Sequence, residues 1–162
     1  MNIGRSLWSL AAFFLLATAS ATQPAESKAR LVVITDIGNE PDDQMSLVRL
    51  LLYSNEIDIE GLVASTSTWQ KNKASPEIIR QVLDGYAKAR PMLMKNAPGW
   101  PAAEALASVV ATGQSSYGMA STGPDKLSPG ARLIIEAAQR EDARPLWVSV
   151  WGGANTLAQA LL

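Results

Sequence analysis

Arg30-Leu-Val-Val-Ile-Thr35-Asp36-Ile-Gly-Asn-Glu40-Pro41-Asp42-Asp43-Gln-Met-Ser-Leu-Val-Arg49 passes from an apolar run through a turn into an apolar helix, and that order decides the fold. Leu31 to Ile34 are apolar in succession, without the alternation of a half-exposed strand, so both faces of this strand are expected to be buried. Asp36-Ile-Gly-Asn has turn chemistry, and Pro41 suits the first turn of a helix because its missing N–H has no partner to lose there. From Gln44 to Ser54, Met45, Leu47, Val48, Leu50, Leu51 and Leu52 cover most of a helical surface, which predicts a helix packed deep on a sheet.

Working outward, Ile57 to Ser65 reads as a second strand entered through Glu60-Gly61, and Ser75-Pro76-Glu77 caps a helix running to about Ala87. A Pro/Gly-rich crossing leads to a helix over Ala102 to Ala111 and a surface loop over Thr112 to Leu127. Ser128-Pro129 opens a helix with Leu133, Ile134, Ala137 and Ala138 on one face; Leu146 to Trp151 is the last strand, and Asn155 begins a final helix. Strands alternating with helices imply an α/β fold, a layered parallel sheet with crossover helices. Ligands in such folds bind beyond the carboxyl ends of the strands. Three loops leave those ends: Asp36 to Asp43, Ser65 to Trp69, and Gly152 to Thr156.

The balance of 14 basic and 15 acidic residues gives no footprint for a phosphate backbone, so nucleic acid is not an expected partner. There is no cysteine and no histidine, which excludes disulfides, thiolate chemistry and imidazole bases and leaves carboxylates and hydroxyls to do any catalysis. Arg5, the apolar run Leu7 to Ala17 and the small-residue site Ala19-Ser20-Ala21 read as an export signal over residues 1–21, with a membrane anchor or a buried helix as the alternative for a run shorter than the ~20 residues that span a bilayer. A flexible leader over 22–29 and a domain over 30–162 follow, with a periplasmic or secreted location and no membrane span once the signal is removed. The oligomeric state stays open.

Asp36, Glu40, Asp42 and Asp43 place four carboxylates within eight residues directly after a buried strand. Crowded anions raise one another's pKa values unless a cation joins them, and a hard, oxygen-preferring ion, calcium first, is the economical partner. The plainer alternative makes Asp42 a helix N-cap, Asp43 a first-turn acid and Glu40 a solvated side chain. It leaves Asp36, at the strand end, unexplained.

Strand, Asp-x-Gly, Asp-Asp and apolar helix together resemble the opening motif of the calcium-dependent nucleoside N-ribohydrolases. The longer string from Thr35 to Arg49 is similar to one branch, the nucleoside hydrolase-like domain of exported proteins also described as cellulose-binding. Ser65-Thr-Ser-Thr-Trp69 and Trp147-Val-Ser-Val-Trp-Gly-Gly-Ala-Asn-Thr-Leu-Ala-Gln-Ala160 agree with it. The resemblance implies that Asp36 binds calcium and acts as general base on the attacking water. It also implies that Asp43 chelates the metal, that Asp42 holds a sugar hydroxyl, and that a backbone carbonyl at Asn155 completes the near side of the ion. Asp36 and Asp42 stand further apart than in the ordinary nucleosidases, with Asn39-Glu40-Pro41 in the added bulge, which brings Glu40 toward the substrate.

Trp69 and Trp151 fall at strand ends and suit stacking on a sugar or base, with ordinary packing as the alternative; Trp100, between Gly99 and Pro101, suits loop packing. Ser115-Ser-Tyr117-Gly118 reads as a mobile surface loop, with a lid as the other reading. The expected substrate is a small nucleoside or carbohydrate. Hydrolysis of a glycosyl bond is the leading function and sugar binding without turnover the second. Aspartyl phosphotransfer is weaker, because the Asp-x-Asp-x-Thr pattern is absent after the first strand. The chain ends within the helix begun at Asn155, so it is expected to be the N-terminal part of its domain. By itself it is expected to bind calcium weakly and show no hydrolysis.

Overall fold

The computed structural model describes residues 27–162; the expected export signal and most of the expected leader lie outside the described residues. The order is β1 (Ala29–Thr35), α1 (Pro41–Leu51), β2 (Ile57–Ala64), α2 (Pro76–Asn96), α3 (Ala103–Ser108), β3 (Val110–Thr112), α4 (Pro129–Gln139), β4 (Leu146–Val150) and α5 (Asn155–Leu161). The strands form one parallel sheet in the order β3-β2-β1-β4. β1 is therefore interior, as its unbroken apolar run requires. Val33 faces a core with Leu47 and Leu51 of α1, Ile79, Leu83 and Tyr86 of α2, and Leu106 of α3. Val32 and Ile34 face the opposite core, with Ile134 and Ala137 of α4 and, packed alongside, Leu157 of α5. Each fully buried Val, Ile or Leu contributes roughly 1.5–3 kcal/mol. Among the described residues no helix is long and apolar enough to cross a membrane.

Several elements differ from the expectation. α1 is buried only along Leu47 and Leu51, while Met45, Val48 and the following Leu52 and Tyr53 are exposed, because α2 is the one helix packed extensively along it. α2 runs to Asn96, through Pro91. A proline normally ends a helix, but here Leu93 packs on the core and Arg90 clamps the Trp100 carbonyl with Nε at 3.1 Å and Nη2 at 3.0 Å. Ser75 stands at the N-cap of α2 without a side-chain capping bond. The helix expected over Ala102 to Ala111 stops at Ser108, and Val110–Thr112 instead adds β3 beside β2. Ala138 of α4 is exposed rather than on the packed face.

The stretch from Thr112 to Leu127 is not a free surface loop. The Gln114 side chain donates to the carbonyls of Ser121 (2.5 Å) and Lys126 (2.9 Å). The Gln114 amide reaches Thr156 Oγ1 at 3.0 Å, and Gln159 Oε1 accepts from the Gly123 amide at 2.8 Å. Polar residues of α5 thus tie the loop down.

At the opposite end of the sheet from the strand C-termini lies an ion-pair network. Glu60 is the extra residue of a bulge in β2: Leu31 pairs with Ile59 and Val32 with Gly61. Its carboxylate takes a bidentate pair from buried Arg30, at 2.6 and 3.0 Å. Arg144 bonds Asp142 at 2.6 Å and Asp58 at 2.5 Å, and its guanidinium and backbone N–H hold the Asp142 carboxyl well below the usual carboxylate range. A depressed carboxyl pKa contributes stability that is present above the unfolded value of about 3.9 and lost as pH falls toward the folded one. Asp142→Asn is therefore expected to melt lower at neutral pH and to show a shallower loss below about pH 4. Melting temperatures from pH 2 to 7 check this; parallel curves for the two proteins would contradict it.

Candidate functional site

Three loops meet beyond the carboxyl ends of β1, β2 and β4 and enclose a cavity of about 290 Å³. Asp36, Asn39, Glu40, Asp42 and Asp43 line it from the first loop, Ser67, Thr68 and Trp69 from the second, and Trp151, Gly152 and Gly153 from the third. Tyr117 closes it from the tied-down loop.

The first loop is shaped by its own backbone. Gly38, at φ +97°, takes a turn that side chains rarely adopt, and Ile78 Cδ1 lies 2.5 Å from where a Cβ would stand. The Thr35 hydroxyl accepts from the Ile37 amide at 3.1 Å and donates to Asp43, joining the strand end to the first turn of α1. Residue Glu40, not Asp42, occupies the N-cap of α1, and its side chain makes no capping bond. Asp42 and Asp43 stand in the first turn of α1 and Glu40 is exposed, as the plainer reading has it, but no carboxylate makes a capping bond and the buried Asp36 is left without such an account. Asp36 is buried, Asp43 half-buried, and Glu40 and Asp42 exposed.

Burial pushes the Asp43 carboxyl above its ordinary value, and the charges of Asp36 and Asp42 push it the same way, against the bond from Thr35. Among the described residues no Lys or Arg lines the cavity to relieve them. A cation fits that donor set. Among the described residues no three acidic side chains form a ready-made cage, so an ion on Asp36 and Asp43 would complete its shell with carbonyls and water.

The second and third loops are fixed to the first. The Ser67 Oγ accepts from the amides of Trp69 (3.1 Å) and Gln70 (3.0 Å), and Gln70 Nε2 donates to the Asp36 carbonyl at 3.2 Å. The Gly153 amide donates to the Thr66 carbonyl at 3.1 Å. Trp151 is half-buried, with its indole N–H on Ser149 Oγ at 2.9 Å.

The family model for the nucleoside hydrolase-like domain of the cellulose-binding protein Sde182 matches residues 30–162. The chain belongs to this family. A solved structure of a nucleoside hydrolase-related hypothetical protein from Saccharophagus degradans, associated with carbohydrate metabolism, superposes with a TM-score of 0.81 at 41% identity. The match covers 83% of this chain and 33% of that one, so the chain spans about a third of its solved relative. No curated protein sequence matches.

In this nucleoside hydrolase-like domain, Asp36, Glu40, Asp42, Asp43 and Trp69 share one cavity. The Asn155 side chain lies outside the lining: its Nδ2 donates to the Ser116 carbonyl at 2.8 Å and to Ser121 Oγ at 3.1 Å, which ties the Tyr117 loop to α5. Trp100 is buried in the core. The loop around Tyr117 is not the free surface loop first expected: Tyr117 lines the cavity, and its amide donates to the Lys71 carbonyl at 2.8 Å. Sequence reading gave no site role to Ser67 or Gln70; a serine two residues before an exposed tryptophan was a weak signal, and Gln70 carried none.

The Gly152-Gly153 pair was the better signal. A Cβ on Gly152 would stand 2.7–2.8 Å from the backbone N, Cβ and Oδ1 of Asp36. One on Gly153 would meet the Thr66 carbonyl and the Tyr117 ring. Gly152→Ala is expected to displace Asp36 and lower stability by about 1–3 kcal/mol through overpacking, with a loss of cation affinity. Gly85→Ala, on the open surface of α2, is the control and is expected to stabilise by roughly 0.5–1 kcal/mol. Thermal melts of both check the pair; equal effects would contradict the close approach.

Proposed function

We propose that the domain is a calcium-dependent glycoside site of nucleoside-hydrolase type on an exported protein, hydrolysing an N-ribosyl or related glycosyl bond. The observation that carries this is the convergence of Asp36, Asp42, Asp43 and Glu40 on one cavity that no Lys or Arg lines. Such a lining repels phosphorylated ligands and suits a neutral sugar held by its hydroxyls. Calcium, when bound by Asp36 and Asp43, would supply charge that lowers the pKa of a coordinated water. Asp36 takes the proton from the attacking water, and Asp42 and Glu40 accept hydrogen bonds from ring hydroxyls. Their negative charge also favours an oxocarbenium-like transition state.

Sugar binding without turnover is the second reading. It is favoured by the cellulose-binding description of the family. Assay of the full-length protein on nucleosides and aryl glycosides, with calcium and with chelator, separates the two. Calcium-dependent product release supports hydrolysis; calcium-dependent binding with no product supports the second reading.

A further inference from the structure

We propose that Thr35 is a positioning residue for the cation site: its buried hydroxyl holds Asp43 at the cavity with one carboxylate oxygen left over for a divalent ion. This rests on the reading of Asp36 and Asp43 as cation ligands. Thr35 is the last residue of β1, is 1% exposed and does not line the cavity, whereas Asp43 does. Any influence of Thr35 on a bound ion therefore passes through another residue.

The backbone of Thr35 is fixed from the neighbouring strand. It pairs with Ala64 of β2, and its carbonyl accepts from the Ser65 amide at 2.7 Å. The hydroxyl at that fixed point has one proton to give. The Ile37 amide can only donate, and at 3.1 Å it takes the acceptor side of the oxygen. The proton is thereby directed at Asp43 Oδ2, and an ionised carboxylate can only accept it. The bonds run one way, from amide to hydroxyl to carboxylate. They occupy one oxygen of Asp43 and leave the second.

Asp43 has another use for its side chain. With Glu40 at the N-cap and Pro41 first in α1, it stands at the third helical position. A polar side chain there commonly folds back on the N-cap amide or extends into water, and neither course brings it to an ion shared with Asp36. The bond to Thr35 instead ties it to the strand end from which Asp36 follows. Packing does not select this hydroxyl, because valine is β-branched in the same way and suits a buried strand end at least as well. Carboxylates that ligate a metal are commonly held by such a hydrogen-bonding partner, which fixes the direction of the ligating oxygen.

The test is calcium titration of the full-length protein by calorimetry, with melting in chelator to establish that each variant is folded. Thr35→Val is expected to weaken calcium binding by about ten- to a hundredfold, the range for loss of a partner to a metal ligand. Thr35→Ser keeps the donor and is expected to stay within about threefold of the native affinity. A packing role predicts the reverse order, with valine harmless and serine, short of a methyl group, the weaker binder. Thr35→Ala carries the same expectation as the valine change and takes its place if a methyl group against Asp43 prevents folding. Native affinity without the hydroxyl, or equal losses with and without it, would overturn the positioning role and leave the cation site standing. Absence of calcium binding by the native protein would overturn both.

Discussion

Asp36→Asn is expected to lower turnover of the full-length protein by about a hundred- to ten-thousand-fold, the range for loss of a positioned general base. Asparagine keeps the size of the side chain and an oxygen that can face a cation, but it takes no proton. The surrounding bonds use the Asp36 backbone carbonyl, to Gln70 and to the Asn39 amide, and so survive the change. Sugar affinity should therefore stay within a few-fold of the native value. Loss of turnover with binding retained is the outcome expected of a hydrolase. Unchanged binding in a protein that never turned over would leave the domain a sugar-binding module, with Asp36 serving only as a ligand.

Calcium is expected to raise the melting temperature of the full-length protein, and Asp43→Ala to remove most of that gain. At a hundred times Kd, binding to the folded state adds about 2.7 kcal/mol. Asp43 is the residue to remove because its carboxyl is the one that burial and the charges of Asp36 and Asp42 push upward, so it gains most from a nearby cation. Without calcium, Asp43→Ala should cost little, since the side chain lost is a strained anion whose main bond is to the Thr35 hydroxyl. Equal melting of the native protein with calcium and with chelator would return the acids to a solvated turn.

The central strand and the acid loop were legible because their signals are local. Four apolar residues in a row give an interior strand, and Gly38 followed by Pro41 fixes a turn and a helix start within a few positions. What was missed depends on partners distant in sequence. β3 is three residues long and exists because β2 offers it an edge, so a run of small and β-branched residues after α3 continued the helix on paper. α2 outlasts Pro91 only through the Arg90 contact to Trp100 and the packing of Leu93, neither of which local propensity contains. Glu60 looked like an ordinary strand residue; its burial follows from a bulge that aims it at Arg30.

In the site the same division holds. The four acids were legible from their crowding, and Trp69 from its place after a strand. The contribution of Tyr117 was legible only as the second reading of its loop, because the glycine- and serine-rich stretch around it reads as mobile until Gln114, Asn155 and Gln159 are seen to hold it. Asn155 was expected near the metal through its backbone carbonyl. Its side chain anchors that loop.

Sensitised terbium luminescence tests most directly whether the acids bind a cation at this cavity. Terbium occupies calcium sites, and Trp69 and Trp151 line the same cavity as Asp36 and Asp43, within range to pass on excitation. In the full-length protein, excitation of tryptophan is expected to give terbium emission that calcium displaces and that Asp43→Ala abolishes. Emission that is absent, or that persists unchanged in Asp43→Ala, would contradict a cation site on these carboxylates.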